Sequence, residues 1–199
     1  MYLLVRFLTG ARRIQPSGVE MTPGRPRIFF ANHTSHLDAL VIWSVLPPET
    51  RADTRPVAAR TYWRASALRR YLAVKVFRAV LVDRAPRVRG RAHPLQPLFD
   101  ALDAGDSLIL FPEGTRNSEE GVGEFKPGLF HLADRYPDVE LVPVYLENLN
   151  RVMPKGECLP VPLICTVSLG APLERREGEA KSDFLERARA AVQTLRSET

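Results

Sequence analysis

Arg27-Ile28-Phe29-Phe30-Ala31-Asn32-His33-Thr34-Ser35-His36-Leu37-Asp38 reads as a buried strand, a polar turn and the start of a helix. The run Ile28 to Ala31 is apolar at every position, as expected of a strand covered on both faces. A helix is predicted from His36 to Leu46, with Ser35 as its N-cap and Pro47-Pro48 as its stop. Leu37, Leu40, Val41, Ile42, Trp43, Val45 and Leu46 make that helix apolar almost all round, which predicts burial or an apolar partner. Within the turn, His33 and Asp38 are spaced so that an imidazole and a carboxylate meet at a sheet edge.

A second unit of the same kind lies about eighty residues on. The strand-like run Ser107 to Phe111 empties into Pro112-Glu113-Gly114-Thr115-Arg116-Asn117. Between the two units, Val57 to Ala59 and Ala79 to Val82 are strand-like, and Tyr62 to Val76 is predicted as a basic helix. Pro94 to Asp103 suits a helix with proline in its first turn and Gly105 beyond its end. Downstream come a short helix at Leu129 to Arg135 and strands at Leu141 to Leu146 and Ile164 to Leu169. Phe184, Leu185, Ala188, Val192 and Leu195 stripe a last helix, with Ser182 as the expected N-cap. This alternation predicts an α/β single domain with a mostly parallel or mixed central sheet flanked by helices. Leu3, Leu4, Phe7, Leu8, Ala11 and Ile14 recur at helical spacing among Arg6, Arg12 and Arg13. Residues 1–20 are therefore expected to be a basic amphipathic helix and residues 21–199 the main domain.

Charge is divided unevenly along the chain. Thr54 to Phe99 holds eleven Lys/Arg against one acid, Asp83, whereas Asp100 to Thr199 holds eleven basic and eighteen acidic residues. The basic segment should attract a polyanion: anionic lipid, nucleic acid or a phosphorylated substrate. No apolar run approaches the roughly 20 residues of a membrane-spanning helix, and Met1 to Arg13 lacks the marks of a secretory leader. Cys158 and Cys165 make neither a thiolate cage nor a disulfide framework. The expectation is a protein of the reducing cytosol, neither secreted nor spanning.

His33 is the leading candidate for proton transfer, because an imidazole takes up and returns a proton near neutral pH. Asp38 would fix its tautomer. The competing structural reading makes His33 a strand-end cap and Asp38 a first-turn acid favoured by the helix dipole. No Gly-x-Ser-x-Gly elbow occurs and neither cysteine lies near a charged motif, so a covalent route is disfavoured. His33, His36, Asp38 and Glu113 are all legitimate metal-ligand types, although no His-Glu-x-x-His is present. Gly114 permits a backbone shape or close approach that a Cβ would block, and Arg116 offers a fork suited to phosphate. Arg84 is a further strand-end arginine. Gly121-Val122-Gly123 has Lys126 where a dinucleotide fingerprint needs glycine, so no nucleotide is implied.

Taken together, these blocks resemble the glycerolipid acyltransferases typified by lysophosphatidic acid acyltransferase. The resemblance rests on Asn32-His33-x-Ser35-x-x-Asp38, the strand-end Arg84, Phe111-Pro112-Glu113-Gly114-Thr115-Arg116 and Val142-Pro143-Val144, in that order. Phe125-Lys126-Pro127-Gly128 matches a further segment of the family. Arg78-Ala79-Val80-Leu81 departs from the glycine and phenylalanine usual before the second block. The resemblance implies that His33 deprotonates the free hydroxyl of a lysophospholipid, Asp38 holds the ring, and the oxygen attacks an acyl thioester. It implies a headgroup site at Arg84, Glu113, Gly114, Thr115 and Arg116, and no cofactor beyond acyl-CoA or acyl carrier protein as donor. Expected partners are the lysophospholipid acceptor, the donor and an anionic membrane surface on the cytoplasmic side, with no nucleic acid. The rival readings are a metal-dependent phosphohydrolase and a non-catalytic module for anionic membranes or nucleic acid.

Overall fold

In the computed structural model, residues 12–14, 24–35, 37–63, 66–83, 93–117, 121–147 and 165–196 are described. The strands are β1 (Arg12–Ile14), β2 (Arg27–Ala31), β3 (Thr54–Ala59), β4 (Val80–Val82), β5 (Ser107–Leu110), β6 (Glu140–Glu147) and β7 (Thr166–Leu169). The helices are α1 (Asp38–Val45), α2 (Pro48–Ala52), α3 (Arg60–Trp63), α4 (Ala67–Tyr71), α5 (Gln96–Asp103), α6 (Gly128–Arg135) and α7 (Lys181–Thr194); α4 runs on into a π-helical stretch, Leu72–Val76.

All seven strands join one sheet in the order β1-β7-β6-β2-β5-β3-β4. Only β6 and β7 run antiparallel, so the sheet is mixed. β2 is central, with Ile28 opposite Leu108 of β5 and Leu141 of β6. Side chains alternate across it. Ile28 and Phe30 join α5, α6 and α7 in one core through Leu98, Leu129, Phe184, Ala188 and Val192, while Phe29 and Ala31 join Val41 and Ile42 of α1 in the other. Because β2, β3, β4, β5 and β6 are parallel, their carboxyl ends share one edge, the edge at which open α/β sheets place their ligands.

α1 is buried rather than apolar toward solvent. Val41, Ile42 and Val45 face the sheet, and on the other side the Trp43 ring packs edge-on against Phe77 at 6.2 Å with the Arg51 guanidinium 5.4 Å from its centroid. The predicted start of this helix moves to Asp38, and Ser35 Oγ accepts only the Leu37 N–H, at 3.3 Å.

Three other expectations change. Helical periodicity through Ile14 gives way to a strand at Arg12–Ile14, which lies parallel to Thr166–Ser168. There the Arg12 N–H donates to the Cys165 carbonyl at 2.9 Å, and an available strand edge overrides a local propensity. Residues 1–11 lie outside the described residues. The basic helix of Tyr62 to Val76 is broken into α3, α4 and the π stretch. Its end is fixed by Phe77 against Trp43 and by Arg78, whose carbonyl accepts Arg55 Nε at 2.7 Å and whose φ is 49°. Ser182 is not the cap of α7: that position is Ala180, and Ser182 Oγ donates to Asp183.

Candidate active site

β2 ends at Ala31, and Asn32 extends its pairing with side-chain bonds. Asn32 Nδ2 donates to the Leu146 carbonyl at 3.0 Å and Asn32 Oδ1 accepts the Leu146 N–H at 2.8 Å. The chain thus leaves the sheet at a fixed point, and His33 follows immediately.

Asp38 is fully buried. An uncompensated carboxylate in that position would cost several kcal/mol; here Oδ2 accepts the Thr34 N–H at 2.6 Å, and both oxygens accept the Ser35 N–H at 2.9 and 3.0 Å. Oδ2 also lies 2.9 Å from His33 Nδ1. An ionised carboxylate only accepts, so Nδ1 carries the proton and the lone pair sits on Nε2. The His33 side chain is 15% exposed, so the ring is held from behind and open in front. Phe111 stacks on it with centroids 4.3 Å apart and planes 19° apart.

The two turns converge through main-chain bonds. The His33 N–H donates to Glu113 Oε1 at 3.0 Å, and the Asn117 N–H donates to the His33 carbonyl at 2.8 Å. Both main-chain groups of His33 are therefore fixed by the turn after β5. Glu113 is buried and also accepts the Gly123 N–H. Burial pushes its carboxyl above the usual range, opposed chiefly by the His33 N–H, then by the positive charge of the His33 ring when it is protonated and by the Gly123 N–H, while the nearby Asp38 charge adds to the rise.

The residues expected at the headgroup differ in where they point. Glu113 is turned inward as a brace, and a carboxylate offers an anionic headgroup no donor. Thr115 and Arg116 are exposed, and Arg116 directly precedes the Asn117 that bonds to His33. Gly114 has φ 71°, a backbone shape that favours glycine; a Cβ there would come 2.8 Å from Lys126 Nζ, the end of an exposed side chain that can swing aside. Arg84 and His36 lie outside the described residues. His33 Nδ1 and Asp38 face each other, and Asp38 and Glu113 accept main-chain N–H groups. Among the described residues no group of three or more His, Cys, Asp or Glu is placed to hold a metal ion.

Sequence reasoning missed Gly123. A Cβ at that position would lie 2.8 Å from Glu113 Oε2. Only the triplet Gly121-Val122-Gly123 marks it in the sequence, as a broken dinucleotide fingerprint. Phe111 and Asn32 were legible as parts of their blocks but not as a stacking plate and a strand clasp.

A family model described as Acyltransferase matches residues 13–147. The 1-acyl-sn-glycerol-3-phosphate acyltransferase alpha of Ovis aries is 32% identical over 159 residues, covering 79% of this chain and 52% of its own. Its Homo sapiens counterpart gives 32% identity, with 79% and 53% covered. The chain thus spans about half the length of these curated relatives. Among solved structures, the 1-acyl-sn-glycerophosphate (LPA) acyltransferase PlsC from Thermotoga maritima superposes with a TM-score of 0.74 at 18% identity, over 98% of this chain and 78% of that one.

Proposed function

The chain belongs to the acyltransferase family, and on that premise we propose that it transfers a fatty acyl group from an acyl thioester to the free hydroxyl of 1-acylglycerol-3-phosphate, giving phosphatidate. The observation that carries this reading is the His33–Asp38 contact of 2.9 Å on a fully buried carboxylate. Nε2 of His33 is the general base. It removes the proton of the acceptor hydroxyl as the oxygen attacks the thioester carbonyl. Asp38 stabilises the imidazolium, which returns the proton to the departing thiolate as the C–S bond breaks. Arg116, Thr115 and the turn at Gly114 bind the glycerol phosphate together with Arg84, while Glu113 fixes the main chain of His33.

The donor is acyl-CoA or acyl carrier protein, and no cofactor takes part. The protein works peripherally on the cytoplasmic face of a membrane, where the acceptor resides. Among the described residues no helix is long and apolar enough to cross a membrane, and exposed cations in the Thr54 to Phe99 segment support an anionic surface as partner.

Thiol release from acyl-CoA and from acyl carrier protein, measured with lysophosphatidate and related acceptors, tests the reaction and distinguishes the donors. His33→Ala is expected to lower turnover by at least about 10², with the circular dichroism of the wild type. Normal turnover in the purified variant removes His33 as the base. Phosphate release in place of phosphatidate, lost with chelator, establishes the phosphohydrolase instead.

A further inference from the structure

The peptide unit joining Val122 to Gly123 is engaged at both ends. Its carbonyl accepts Arg189 Nε at 2.9 Å, from the outer part of α7, and its N–H donates to Glu113. Glu113 Oε1 in turn accepts the His33 N–H at 3.0 Å. Carbonyl and N–H of one trans peptide point in opposite directions, so a cation donating to the first polarises the second toward the carboxylate. We propose that Arg189 is a positioning residue for the general base, acting through the Val122–Gly123 peptide and Glu113 on the main chain of His33. The inference rests on the proposed role of His33.

A plain surface charge on α7 is the competing description, since Arg189 also lies 3.4 Å from both oxygens of Glu186. The contact to Val122 is shorter and partly buried. Nor does α7 need this guanidinium to be seated, because Phe184, Ala188 and Val192 are fully buried in the core. The receiving peptide has little room to move: Val122 is buried, and a Cβ on Gly123 would meet Glu113 Oε2 at 2.8 Å. Arg189 lies beyond residues 13–147, the span that the family model matches. α7 thereby adds a positioning contact from outside that span.

The test compares Arg189→Met, Arg189→Lys and Glu186→Gln in the full chain. Initial rates are measured against acceptor concentration, and the carboxyl carbon of Glu113 is titrated by NMR. The groups facing Glu113 are His33 and Asp38 with the N–H groups of His33 and Gly123, so the His33 ring is titrated alongside. Arg189→Met is expected to lower kcat about three- to tenfold, as loss of a charge-assisted bond would, with acceptor KM changed less than about twofold. The Glu113 carboxyl should titrate at higher pH than in the wild type, because one opposing donor is weakened. Arg189→Lys should recover most of both effects, and Glu186→Gln should show neither. An unmoved Glu113 titration in Arg189→Met overturns the proposal, as does a lysine variant no better than methionine. If the wild type transfers no acyl group from any thioester, the reading of the activity fails, and the carboxyl titration still decides the Arg189 contact.

Discussion

His33 is held by its surroundings at four points: Nδ1 by Asp38, N–H by Glu113, carbonyl by Asn117 and ring face by Phe111. With His33 as the proposed base, such fixation spends the entropy of orienting it before the substrate arrives. It also makes a residue that touches no substrate decisive. Gly123→Ala would force a methyl group to within 2.8 Å of Glu113 Oε2, and overpacking of this kind costs about 1–3 kcal/mol. The expected outcome is a fall in kcat of about tenfold or more with a modest drop in thermal midpoint; wild-type kcat in the folded variant would show that Glu113 does not position the base. Arg116 should behave differently because it is exposed. Its replacement by Ala is expected to raise KM for a phosphate-bearing acceptor about tenfold and to lower kcat, the loss of a charge-assisted contact. An acceptor without phosphate should be indifferent to the change. Equal effects on both acceptors would mark Arg116 as structural.

At the scale of elements, the strands were legible where burial on both faces leaves an unbroken apolar run. The runs Ile28 to Ala31, Ser107 to Phe111 and Leu141 to Leu146 each end within one residue of the observed strands. The turns after β2 and β5 were legible because their residue types serve a fixed local geometry. What was not legible depends on partners distant in sequence. Arg12–Ile14 is a strand because Thr166–Ser168 offers an edge, and the helix predicted to Val76 is interrupted on the way to Phe77, which Trp43 receives. The bond from the His33 N–H to Glu113 likewise joins residues eighty positions apart. α7 illustrates the same dependence: its stripe was readable, but not the clamp at its start. There Arg187 Nε and Nη2 bond the two oxygens of Glu179 at 2.8 and 2.7 Å, Nη2 also donates to the Glu174 carbonyl at 2.8 Å, and the Glu179 side chain is 8% exposed. The Arg187 bonds hold the Glu179 carboxyl down at about 2, against an ordinary 4.5. A depressed carboxyl stabilises the fold above its unfolded value, and that stability disappears as pH falls from about 4.5 toward 2. Chemical denaturation across this window should therefore show unfolding free energy falling more steeply in the wild type than in Arg187→Met. Parallel curves would mean that the clamp contributes nothing to the acid limb.

For the whole molecule, the basic middle of the chain and its acidic end set up a field, but the fold neutralises part of it. Arg55 and Arg78 share Asp106, and Arg60 pairs with Asp83. Phe77, within this basic segment, is buried at 7% exposure. What faces outward on α4 and its π continuation is more compact: Tyr71 at 59% and Val74 at 43% exposure, flanked by the exposed Arg70 and Lys75. With the proposed anionic membrane as partner, an aromatic and an aliphatic side chain between two cations suit the interface, the apolar groups entering the headgroup layer and the charges meeting phosphate. Each cation near an anionic surface is worth about 1 kcal/mol at physiological salt. The attraction should collapse as the screening length falls from about 10 Å at 0.1 M salt to about 3 Å at 1 M. Flotation is therefore expected to recover the protein with phosphatidylserine-containing vesicles but not with pure phosphatidylcholine, and 1 M salt should release it. Arg70→Gln with Lys75→Gln should weaken recovery on anionic vesicles, whereas Tyr71→Ala should weaken what remains at high salt. Equal partitioning onto both vesicle types would remove charge from the account and leave the apolar pair as the whole of the attachment through this face.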